Sequence, residues 1–98
     1  MSRDIDQIIE RVRERLPEVT VEQLQVRYPA DDDGLWWFSL PGIGKNIQIE
    51  SSFGACPFLV ETDEQSSYEA LSASTISEAV TYIVRYLSAL SEGLSIHL

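Results

Sequence analysis

Residues 35–40 read Leu35-Trp36-Trp37-Phe38-Ser39-Leu40, aromatic and apolar at five of six positions. Both parities are apolar, as in a central strand covered on both faces or a strand with one sticky face. Successive side chains of a strand point to opposite faces. Trp36 and Trp37 must then diverge. One joins a core, and the other faces outward or lies under a loop, a helix or another chain. If Trp36, Phe38 and Leu40 point inward, Trp37 shares the opposite face with Leu35. Arg27, Gln48, Glu50 and Glu61 are then candidates to surround it.

The flanking text supports strands on both sides. Upstream, 19–28 looks like a strand with Leu24, Val26 and Tyr28 on one face. Val19 and Val21 have the opposite parity, which implies a start near Glu22 or a bulge. Residues 29–34, with Asp31, Asp32, Asp33 and Gly34, have turn composition. Downstream, 41–46 is a turn with two glycines, and Ile47-Gln48-Ile49-Glu50 alternates as a half-buried strand. Residues 51–55 form the next turn. Cys56 to Thr62 is a fourth strand, with Pro57 at its first residue or on an edge. Residues 63–74 are polar, with a short fifth strand possible at 69–73.

Helices bracket the strands. Ile5, Ile8, Ile9, Val12 and Leu16 form one helical stripe over 4–16, with Asp4 as the expected cap and Pro17 as the stop. Thr75-x-x-Glu78 is a capping box. Ile76, Ala79, Val80, Ile83, Val84, Leu87 and Leu90 follow as a wide stripe, and Gly93 occupies the position of a glycine just past a helix end. Tyr82 and Tyr86 flank that stripe and are expected to seal the edge of the core. The tail 94–98 alternates and would add an edge strand or fray. Short connections between consecutive strands favour an antiparallel meander. The expected fold is one α+β domain over residues 1–98. It is a two-layer sandwich with a four- to five-stranded, mostly antiparallel sheet and both helices on one face.

Trp37-Phe38-Ser39-Leu40-Pro41, then Ile47-Gln48-Ile49-Glu50-Ser51-Ser52, then Gly54-x-Cys56-Pro57-Phe58-Leu59-Val60-Glu61, followed by a capped helix, resembles a family of small uncharacterised acidic bacterial α+β proteins. The resemblance covers roughly residues 35–90 and carries over no catalytic residue. In size, acidity and helix–sheet–helix order the chain is similar, more loosely, to small immunity proteins that neutralise toxins.

Charge and composition narrow the function classes. The 98 residues hold 7 Lys+Arg against 16 Asp+Glu, a net charge of −9. Four of the seven cations, Arg3, Arg11, Arg13 and Arg15, sit in the first helix among acids, so the acidity belongs to the sheet, the loops and the second helix. Such a body repels nucleic acid and anionic membrane and favours a basic partner. No apolar run approaches the roughly 20 residues of a membrane span. The first residues lack a secretion signal, and a lone Cys56 fits a cytoplasmic protein.

No constellation points to catalysis or to a bound cofactor. Gly42-Ile43-Gly44-Lys45 lacks the spacing, hydroxyl residue and following helix of a phosphate loop. Asp31-Asp32-Asp33 lacks the alternating ligands of a calcium loop and reads as a solvated turn or a contact patch for a basic partner. Cys56 has no base near it in sequence, and the single histidine, His97, sits in the tail. One Cys and one His make a zinc site improbable. Glu50 and Glu61 on an open sheet face would stay solvated, unlike an acid–base pair. The expectation is a non-enzymatic, metal-free protein-interaction module that takes a basic partner or pairs with a second copy. Trp36, Trp37, Asp31, Asp32, Asp33, Glu50 and Glu61 are its candidate contact residues. The alternative is a module that takes a small molecule or peptide between sheet and helices, in an apolar pocket of at least about 300 Å³.

Overall fold

In the computed structural model, five strands pair antiparallel in chain order, β1-β2-β3-β4-β5, between two helices. The structure describes residues 3–23, 33–52, 54–64, 71–94, 96 and 98. The elements are α1 (Asp4–Arg15), β1 (Thr20–Gln23), β2 (Asp33–Ser39), β3 (Asn46–Ser52), β4 (Phe58–Thr62), β5 (Leu71–Ala73) and α2 (Ile76–Ser91). The architecture is therefore the expected α+β sandwich, with the fifth strand formed.

The period of two fixes the inner face. Phe38 stands between Val21 and Ile47, Trp36 lies opposite Ile49, Ile49 opposite Val60, and Phe58 opposite Ala73. Ile5, Ile8 and Val12 of α1 and Ala79, Val80, Ile83, Tyr86 and Leu87 of α2 close over these side chains to form one core. Trp36 is 2% exposed and meets Phe58 edge-on, with ring centroids 6.3 Å apart at 71°. Its indole lies across Gly34, where a Cβ would come within 2.2 Å of Trp36 Cη2. That close approach requires a residue without a side chain.

Several boundaries differ from the sequence expectation, each for a physical reason. Gly34 does not belong to a turn. β2 starts at Asp33, and its ladder with β3 runs on through Gly34↔Ser51 and Asp33↔Ser52, so the expected turn residues Ser51 and Ser52 are also strand. Ladder pairing here outweighs the weak strand propensity of Gly and Ser. β1 starts at Thr20 with Val21 packed inward, two residues before the expected start near Glu22. Val19 is buried from the helix–strand turn, its N–H donated to the Leu16 carbonyl. The expected strand positions 24–28 lie outside the described residues.

β4 begins at Phe58, after the cis Cys56–Pro57 bond, and it is an interior strand. Pro57 has no N–H to give a ladder and stays just outside. Asp4 does not cap α1. Arg3 is the cap, its N–H bonded to the Asp6 carboxylate at 3.0 Å, while Asp4 accepts the Cys56 N–H at 2.9 Å. Thr75 caps α2 as expected, its hydroxyl accepting the Glu78 N–H at 3.1 Å. Tyr86 does not seal an edge: it is fully buried. In the tail, Ile96 and Leu98 pack against the core without forming a strand, and Leu94 is exposed.

The loop before β4 clamps the start of α1. Ile5 donates its N–H to the Gly54 carbonyl at 3.0 Å, beside the Asp4–Cys56 bond. Gly54 has φ 67°, and a Cβ there would meet Ile5 Cγ2 at 2.7 Å.

Candidate functional site

Trp37 stands on the face of the sheet opposite the helices. Sheet register sets its neighbours: Glu22, Trp37, Gln48 and Glu61 form one row across four strands. The row is hydrogen-bonded. Trp37 Nε1 donates to Gln48 Oε1 at 3.0 Å, and Gln48 Nε2 donates to Glu61 Oε2 at 3.1 Å. The glutamine thus satisfies the indole N–H and is itself oriented by a carboxylate, so the ring has one preferred seat. The next row runs Leu35, Glu50, Leu59, Ser72. Leu59 is 53% exposed, a large apolar side chain open to water.

This outer face has an apolar centre, Leu35, Trp37 and Leu59, among Glu22, Glu50 and Glu61. Among the described residues it carries no Lys or Arg. Of the residues expected to make contacts, the structure brings Trp37, Glu50 and Glu61 together here. Trp36 is in the core. Asp33 opens β2 at the far end of the strand that carries Trp37. Asp31 and Asp32, like Arg27 and His97, lie outside the described residues.

Cys56 is half-buried. Burial first, and then the Asp4 carboxylate, push its thiol above the usual range. A thiol kept protonated is a poor nucleophile. Among the described residues no three His, Cys, Asp or Glu side chains gather as metal ligands. No helix among them is long and apolar enough to cross a membrane.

One polar cluster has no signal in the sequence. Glu64, after β4, accepts hydrogen bonds from Lys45 of the β2–β3 turn and from the buried hydroxyl of Tyr86 on α2. Burial opposes the charge on Glu64, but the bonds from Lys45 and Tyr86 outweigh it and hold the carboxyl below its ordinary value. Burial, reinforced by Glu64, drives the Tyr86 hydroxyl well above its own. The depressed carboxyl stabilises the fold above its unfolded value of about 4.3, and that contribution is lost as pH falls through the lower folded value. The raised tyrosine contributes fully below about 10 and loses its contribution as pH climbs further. Thermal unfolding of the wild type and Glu64→Gln across pH should therefore give a gap that is widest between about pH 5 and 9 and narrows at both ends. Parallel curves would contradict this account.

A groove of about 680 Å³ opens between α1 and the free side of β1. Ile9, Val21 and Trp36 form its floor, and Asp6, Glu10, Glu14, Arg13 and Gln23 its rim. It lies at the edge of the two layers, not in the gap between them, the expected place of an apolar pocket. The centre is filled by fully buried side chains.

Comparison with protein families, curated proteins and solved structures finds no match to this chain.

Proposed function

We propose that the protein is a non-enzymatic interaction module that docks a basic partner protein on the outer face of its sheet. An adaptor or a toxin-neutralising protein would work in this way. The observation that carries the proposal is Trp37, an oriented, half-exposed indole with carboxylates around it. Tryptophan is enriched among residues that dominate binding energy, and an aromatic centre inside a polar rim is the composition of a partner surface. An arginine of the partner stacks on the indole and pairs with Glu50 or Glu61, while the summed negative charge speeds encounter. Inhibition, in the toxin-neutralising case, is steric: the docked face covers the partner's own working surface. Charge favours a basic partner over a second copy, because apposing two such faces sets Glu22, Glu50 and Glu61 against like charges. The resemblance to small acidic bacterial proteins supports a bacterial setting, and the single Cys56 a cytoplasmic one.

The test is cross-linked capture from native lysate, followed by titration of the purified partner. Trp37→Ala should weaken binding at least roughly 30-fold, the scale of a hot-spot residue. Glu61→Lys should weaken it and reduce its salt dependence. A partner that is acidic, or one that both variants bind as tightly as the wild type, would refute the proposal.

A further inference from the structure

β1 is an edge strand. Among the described residues it pairs with β2 on one side and has no strand on the other. In an antiparallel pair, alternate residues turn their N–H and C=O groups away from the partner strand. Alternate N–H and C=O groups of Thr20–Gln23 therefore point away from β2, along the edge that borders the groove at Val21 and Gln23. Thr20, Glu22 and Gln23 are exposed and Val21 is half-buried. α1 runs alongside and turns Asp6, Glu10 and Glu14 to the same opening, against the single cation Arg13. Asp6 is already engaged by Arg3, with N–H···O at 3.0 Å and Nε···O at 3.5 Å. Glu10 and Glu14 have no such engagement in their own helix.

We propose that the groove between α1 and β1 binds an extended basic peptide segment, which adds as a sixth strand to β1. Backbone pairing along an open edge gives such a peptide affinity without sequence demands, and pockets for alternate side chains give selectivity. Here one parity of side chains drops onto Ile9 and Val21. Cationic residues in the segment meet Glu10 and Glu14 on the helix. The volume suits this occupant, since ligand-sized clefts span about 300–1,000 Å³. A second copy suits the edge less well, because β1-to-β1 pairing brings two Glu22 side chains and two acidic rims together. The site is separate from the outer face, as neither Trp37 nor Glu50 nor Glu61 lines it. It stands whether or not that face binds a protein.

The probe is a capped hexapeptide alternating valine and arginine, titrated into the ¹⁵N-labelled full chain. Two control peptides accompany it, one methylated on alternate backbone nitrogens and one with glutamate for arginine. Saturable shifts of the Thr20–Gln23 and Ile9 amides are expected, together with slowed exchange of β1 amides, and neither control should reproduce them. Glu10→Lys combined with Glu14→Lys, both on the helix surface, should weaken binding roughly fivefold, as two solvent-exposed charge pairs are worth. Four results would overturn the proposal. These are no saturable β1 shifts, equal binding of the methylated peptide, shifts centred on the Trp37 indole, and concentration-dependent pairing of β1 with a second copy in the absence of peptide.

Discussion

Trp36→Ala is expected to remove about 3–5 kcal/mol of stability, whereas Trp37→Ala removes less than about 1 kcal/mol. The two residues are adjacent and identical, so intrinsic propensity cannot separate them. Their surroundings can. Trp36 is 2% exposed, packed on Phe58 and across Gly34 at the floor of the groove, and truncation leaves a void there that a rigid sheet cannot close. Trp37 loses one hydrogen bond to Gln48, whose amide still reaches Glu61. Urea denaturation of both variants at an unchanged slope measures the contrast. Equal losses would mean that the two indoles share one environment and would remove the outer face as a docking surface. If the contrast is observed, Trp37→Ala becomes a clean binding probe, because its fold is intact.

Gly54→Ala should cost about 2–5 kcal/mol, from two additive sources. The residue has φ 67°, where a side chain adds about 1–2 kcal/mol. Its new Cβ would also sit 2.7 Å from Ile5 Cγ2, and crowding of a packed site adds about 1–3 kcal/mol. Gly42→Ala isolates the first source. It has φ 77° and nothing within 4 Å of a Cβ, so it should lose only about 1–2 kcal/mol. The difference between the two urea midpoints reports the contact between the loop and α1. Equal losses would place all of the cost in the backbone and none in that contact.

The phase of residues 35–40 is legible in the sequence because a strand offers only two faces and both tryptophans must take one. Once Trp36 is inward, Gln48 and Glu61 follow as neighbours of Trp37 from parity and hairpin order alone. The Lys45–Glu64–Tyr86 cluster is illegible for the opposite reason. Its members are 19 and 22 residues from Glu64 and meet only when a turn, a strand end and a helix converge. On a helical projection Tyr82 and Tyr86 both flank the apolar stripe, and only the seat of α2 on the sheet makes Tyr86 core and leaves Tyr82 half-buried. The cap of α1 fails similarly. Asp4 has the right chemistry for a cap, but a contact 52 residues away claims its carboxylate. The groove beside β1 depends on the lateral offset between a helix and a strand, which periodicity does not encode.

The clamp between residues 4–5 and 54–56 also bears on how the chain comes off the ribosome. α1 is made before the loop at 54–56, and the groups that hold its leading turn follow 49 and 52 residues after the residues they bond. A 12-residue helix is marginal alone in water. During synthesis α1 must therefore flicker for several seconds, until the loop at 54–56 and then α2 have emerged and given it a berth.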